Sequence, residues 1–230
     1  MVKRPHIFSV EPGSTVTTQV RWWVLNDAAS ADVIDLINGK KLNDPAKVKV
    51  FIDHDTPCGS VPVAVRQKAL IAFAEENGCE LFNGHGISHQ IMLDRFVQQG
   101  DVVAGCFSYG AMYGAAGAFG VSLSPEALAA SLQTGTVSFP APKTVRIQLE
   151  GAFTPPASEK DLALYLRANS QYACKDSFVI FGGPGVPAMS LAGRTTLCQM
   201  LDAAFVHFTE DASFSADCSV ALGEITPLLA

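Results

Sequence analysis

VKVFIDHDTPCG (residues 48–59) decides the reading of this chain. Residues 48–53 form an apolar, β-branched run, the pattern of a strand buried on both faces. The run passes directly into a polar loop carrying Asp53, His54 and Asp55. Residues 63–77 have apolar positions at helical spacing and stop at Gly78, a residue suited to the left-handed cap of a helix. Residues 80–82 read as a short strand closed by the turn NGHG, 88–99 as a helix stopped by Gly100, and 101–106 as a third strand. A glycine-rich helix over about residues 112–119 follows. Another helix begins at Pro125, with Ser124 as its N-cap. Strands alternating with helices across short loops imply an α/β fold with mainly parallel sheets flanked by helices.

The two prolines of VSFPAPKT (residues 137–144) suggest a linker. Beyond it, residues 144–151 read as a strand, 158–170 as a capped helix, 177–183 as a strand ending on Gly182-Gly183-Pro184-Gly185, and 188–205 as a helix. Two α/β domains are therefore expected, 1–140 and 141–230.

Composition narrows the function. Of 230 residues, 48% are hydrophobic and 17% charged, against roughly 25% charged in an average domain. Mean hydropathy is +0.23, so disorder is excluded. Net charge is −6 and the basic residues are scattered, which argues against nucleic acid as a partner. The opening MVKRPHIFSVEPG has no apolar run behind its basic pair and does not read as a secretory signal. Residues 102–125 carry no charge and are long enough to cross a bilayer, but they hold five glycines and three serines between Asp101 and Glu126. They read as a tightly packed segment, and no membrane association is expected. Six separated cysteines without a C-x-x-C read as thiols of a cytoplasmic protein.

The polar residues collect in loops that follow strands. Asp53, His54 and Asp55 follow the first, His85 and His89 the second, and Cys106, Ser108 and Tyr109 the third. In open α/β sheets ligands bind beyond the carboxyl ends of strands, so these loops form a candidate pocket. An Asp beside a His can tune an imidazole for proton transfer. The same pair also suits a structural role, with Asp53 capping a turn and His54 satisfying backbone groups. His85 and His89 stand four apart, but Gly86 lies between them and no Glu occupies the general-base position, so no metal site is expected. Gly182-Gly183-Pro184-Gly185 lacks a phosphate-loop signature and reads as a turn.

Three blocks carry a resemblance. FIDHDTP, NGHGISHQIMLD and GCFSYGAMYGAAGAFG are similar, in order and spacing, to successive blocks of the aconitase / 3-isopropylmalate dehydratase large-subunit family. FVIFGGPGVPAMSLAGRTTLCQM and DCSVALGEITPLLA resemble later stretches of that family, so the likeness runs from about residue 25 onward. It implies the family's first two α/β domains. By position it implies His54, His89, Asp53 and Tyr109 as catalytic residues. It implies Ser108, Asp55, His85, Arg194 and Gln199 as substrate-binding residues.

The departures from the family pattern matter as much. Family members hold a [4Fe–4S] cluster on three cysteines, in a GSCTN segment and a C-x-x-C, and neither segment occurs here. No cofactor is therefore expected in this chain. The family's DSHT has become Phe107-Ser108-Tyr109-Gly110, and its C-N-M-x-x-E has become Cys198-Gln199-Met200-Leu201-Asp202-Ala203. Phe107 in place of an acid makes the pocket more apolar, and Tyr109, in place of a His, is a poor base. The leading expectation is a cluster-independent lyase or isomerase. It would dehydrate, or shift a double bond in, a small carboxylic or oxo acid. Two alternatives stand beside it: a subunit of a split Fe–S hydro-lyase completed by a cluster-bearing partner chain, and a non-catalytic binding remnant. Apolar surface left by the missing domains suggests a homo-oligomer.

Overall fold

The computed structural model describes residues 10–37, 39–211 and 215–228. Their contacts divide the chain into two compact units. The first comprises residues 17–108 and 121–139; the second comprises the described residues of 1–16, 109–120 and 140–230.

The strands of the first unit include β2 (Trp22–Asn26), β3 (Val48–Ile52), β4 (Glu80–Asn83) and β5 (Val102–Gly105), and the chain re-enters it along β6 (Phe119–Ser122). They form a five-stranded sheet ordered β4-β3-β2-β5-β6. The β2–β3, β3–β4 and β2–β5 pairs are all parallel. Every residue of β3 and β5 is buried, as continuous apolar runs require in a sheet covered on both faces. The covering helices are α1 (Ala31–Ile37), α2 (Val61–Asn77), α3 (Ser88–Arg95) and α4 (Pro125–Thr134). Gly78 ends α2 in the left-handed conformation, φ 70°, and Ser124 caps α4 by accepting the Ala127 N–H. Trp23, 1% exposed, donates from its indole to Ser131 Oγ at 2.8 Å, tying β2 to α4. Lys49 is also buried. Its Nζ lies over the rings of Trp22 and Phe96 and bonds Glu80 Oε2 at 2.6 Å.

The second unit is built on a four-stranded parallel sheet ordered β10-β9-β8-β11. These are β8 (Thr144–Glu150), β9 (Phe178–Gly182), β10 (Phe205–Phe208) and β11 (Cys218–Ala221), with helices α5 (Glu159–Ala168) and α6 (Leu191–Met200). A capping box between Ser158 and Asp161 starts α5. The Leu228 N–H above all, against the upward push of burial and helped by the Ser158 hydroxyl and N–H and the Lys160 ammonium, holds the Asp161 carboxyl down at about 2. No helix among the described residues is long and apolar enough to cross a membrane.

Four elements differ from the sequence reading. Residues 110–116 form a 3₁₀ helix, ended by Gly117 at φ 76°, which frees Phe119–Ser122 to pair as β6. The expected linker is instead a strand, β7 (Thr136–Pro140), paired with β1 (Thr15–Gln19) in a two-stranded ribbon, where a terminal proline costs no ladder bond. The helix expected over 88–99 stops at Arg95, because Asp101 Oδ2 accepts the Gln98 N–H and draws the chain into a turn. The helix expected over 188–205 stops at Met200, since Asp202 takes φ 56° and β10 begins at Phe205.

Gly114 is required by a close approach. A Cβ there would fall inside the van der Waals envelope of the Val206 carbonyl oxygen. Because the obstacle is backbone, Gly114→Ala is expected to destabilise the protein by about 1–3 kcal/mol, read as a lower urea midpoint with an unchanged m-value.

Candidate active site

In the order β4-β3-β2-β5-β6, β2 is the first strand of this sheet in the chain and lies between β3 and β5. The chain therefore leaves β2 toward β3 and later returns on its other side at β5. Loops part at such a switch point and leave a crevice at the carboxyl edge. Asp27 follows β2 at this point, Asp53 and His54 follow β3, His85 follows β4, and Phe107 and Ser108 follow β5.

Asp27 and Asp53 have side chains only 1% and 2% exposed, whereas the imidazole of His54 is 43% exposed. His54 Nδ1 lies 2.7 Å from Asp53 Oδ1 and 3.4 Å from Asp27 Oδ1. An ionised carboxylate only accepts, so Nδ1 carries the hydrogen and Nε2 is left free to act as a base. The Ser88 N–H donates to Asp53 Oδ2 at 2.6 Å, joining the β3 loop to the first turn of α3, where His89 sits. Burial lowers the His89 pKa below the ordinary imidazole value; His54 adds to that shift and Asp53 opposes it. The lowered pKa favours the neutral imidazole of His89, whose charge is coupled to those of Asp53 and His54.

Asp27 organises the loop. Its Oδ1 accepts the N–H groups of Asp53 (3.2 Å) and His54 (3.1 Å). Its Oδ2 accepts the Asp55 N–H (3.4 Å) and the Gln67 amide (2.8 Å). Burial pushes the Asp27 carboxyl up, but these four donors outweigh it and hold the group below the usual carboxylate range. Ligand atoms of Asp27, Asp53 and His54 lie within 4.8 Å of one another. The Asp27 oxygens are already engaged by N–H donors, so this arrangement reads as a hydrogen-bonded cluster that orders the loop.

Of the residues expected from sequence, Asp53, His54, Asp55 and His89 are gathered around this loop. His85 is exposed on the turn after β4 with its ring edge-on to Phe82, and Ser108 is exposed after β5. Tyr109 opens the 3₁₀ helix of the second unit, and Arg194 and Gln199 lie on α6 of that unit. Arg194 donates to the Val186 carbonyl and stacks over Phe208; Gln199 is exposed. Asp27, Gln67 and Ser88 were missed by the sequence reading. The available signal was WWVLND (residues 22–27), an apolar run ending on an acid, as VKVFID does.

Comparison with known proteins supplies the family. The model of the aconitase family (aconitate hydratase) matches residues 36–202. The chain belongs to the aconitase family. Among similar proteins, the 3-isopropylmalate dehydratase large subunit of Herpetosiphon aurantiacus is 34% identical over 198 residues, 83% of this chain and 47% of that protein. The corresponding subunit of Methanoregula boonei is 31% identical over 167 residues, 71% of this chain and 40% of that protein. The chain thus spans less than half the length of these two relatives. A crystal structure of Thermococcus kodakaraensis aconitase X in its holo form matches 90% of this chain and 57% of that one, with TM-score 0.53 and 9% identity, a likeness of fold. The resemblance carried by the three sequence blocks, and the aconitase-like α/β fold it implied, are borne out.

The cysteines of this family member do not fit a three-thiolate cluster cradle. In the first unit Cys79 precedes β4 and Cys106 follows β5, at opposite edges of a parallel sheet. Burial pushes both thiols up to about 11. In the second unit burial pushes Cys174 up to about 12 and raises Cys198 and Cys218. Cys58, on the loop after β3, is exposed, and among the described residues no three thiols are grouped as ligands of one metal ion.

His89 makes a pH prediction. Its folded pKa is depressed, so the unfolded chain takes up the proton first as pH falls. The resulting stability is complete above the ordinary His range, near ~6.5, and is lost as pH falls through the folded value. His89→Gln is expected to flatten this acid-side slope in urea titrations, and NMR titration is expected to place His89 below the ordinary value.

Proposed function

We propose that the chain provides the proton-handling part of a hydro-lyase site acting on a small carboxylic or oxo acid, by dehydration or double-bond migration. The observation that carries this reading is the His54 ring, held at Nδ1 by Asp53 at 2.7 Å and presented 43% exposed at the carboxyl edge of the sheet. Its Nε2 is the group that exchanges a proton with substrate, and neutral His89 is the second base. Asp53 fixes the ring's tautomer and balances the imidazolium formed when the ring is protonated. Phe107, 9% exposed at the same edge, suits a less charged acid than a tricarboxylate. No step is assigned to a cluster, in keeping with thiols that are not grouped as ligands of one metal ion among the described residues.

A second reading is favoured by one comparison. The relatives compared above are named large subunits. On this reading another polypeptide supplies the remaining part of the site, and turnover requires both.

Incubation with a panel of 2- and 3-hydroxy acids in deuterated water, followed by NMR, tests the first reading. Loss of the hydroxyl together with a proton from the adjacent carbon, giving the unsaturated acid, is expected, and the reverse addition of water is expected to leave deuterium at that carbon of the hydroxy acid. His54→Ala is expected to lower the rate about 10²–10⁴-fold with thermal stability retained. Turnover that appears only after adding a co-purifying second chain would select the second reading, and wild-type turnover in His54→Ala would refute the assignment of His54.

A further inference from the structure

We infer that Asp27 is a positioning residue for His54, setting the acid–base loop through three consecutive main-chain N–H groups and through Gln67. The role given to His54 rests on the hydro-lyase reading; the placement of Asp27 rests on geometry.

A buried carboxylate is costly unless donors meet it. The Asp27 side chain is 1% exposed, and among the described residues no lysine or arginine pairs with it. Its charge is met by the N–H groups of Asp53, His54 and Asp55, by the Gln67 amide, and by the edge of the His54 ring. Three successive N–H groups converging on one anion make a nest, a concave backbone form that an anion stabilises. Here the anion belongs to the protein. Directing the His54 N–H inward fixes the Cα from which the ring projects, so Nδ1 falls between Asp53 and Asp27. Gln67 Nε2 also donates to the Asp55 carbonyl at 2.9 Å, so both its hydrogens are used and α2 is clamped to the loop. Asp27 touches no substrate in this scheme; it acts through the ring it places.

The substitution Asp27→Asn keeps the size but turns one oxygen into a donor facing the Asp55 N–H and the Gln67 amide. The measurement is ¹⁵N-resolved NMR of the His54 ring together with the amide protons of residues 53–55. In the wild type the ring is expected as the Nδ1–H tautomer, with the three amides shifted downfield. In Asp27→Asn the amides are expected to move upfield together and the ring to populate both tautomers, while methyl signals of the core stay in place. Gln67→Leu, which removes one donor and leaves the carboxylate, guards against a variant that fails to fold; it is expected to move the Asp55 amide and the ring signals in the same direction by less. Unchanged ring and amide signals in either folded variant would overturn the inference. Failure of the hydro-lyase reading looks different: these shifts would respond as expected while the wild type turns over no acid.

Discussion

The carboxylate of Asp27 is the charge around which the carboxyl edge of the first sheet is arranged. A negative group at 1% exposure is tolerable only if donors reach it in fixed directions. Those donors come from the loop after β3 and from α2, so one electrostatic requirement dictates the path of residues 53–55 and their distance from the helix. Asp53 is in turn bonded by the Ser88 N–H, which extends the constraint to α3. The histidines inherit their surroundings from this arrangement.

In the first sheet β3 and β5 were legible as apolar runs because they are buried along their whole length, while β2 and β6 were not read. A continuous apolar run such as 48–53 has few other uses in a domain of this size. The 3₁₀ helix was not legible, because alanine and glycine at 110–117 suit several tight forms, and the choice falls to contacts such as Gly114 against Val206. The 137–144 stretch reads as a linker from its prolines. A strand partner more than a hundred residues away, β1, decides otherwise. The loop histidines were legible as motif residues. Gln67 was not, since a glutamine on a helix acquires meaning only when its two acceptors, Asp27 and the Asp55 carbonyl, are in place.

The cysteines illustrate how little a count conveys. Six thiols in a chain of an iron–sulfur family invite a ligand reading. Cys79 and Cys106 stand at opposite edges of the first sheet, burial pushes five of the six thiols up, and the sixth, Cys58, is exposed. Lys49 makes the converse point. It is a charged residue within an apolar run, and the strand accommodates it because two aromatic faces and Glu80 surround the ammonium.

Neither compact unit is one continuous length of chain. The first is interrupted at 108 and resumed at 121, and residues 109–120 are counted with a unit whose sheet is drawn from residues 144–221. During synthesis the glycine-rich segment therefore emerges well before the strands it packs beside, Val206 above all. That order burdens the nascent chain with an uncharged stretch awaiting its neighbours, a circumstance in which ribosome-associated chaperones act. It also makes a proteolytic cut at residues 117–118 more damaging than its place in a two-residue link suggests, because it separates β6 from the 3₁₀ helix that carries the chain into it.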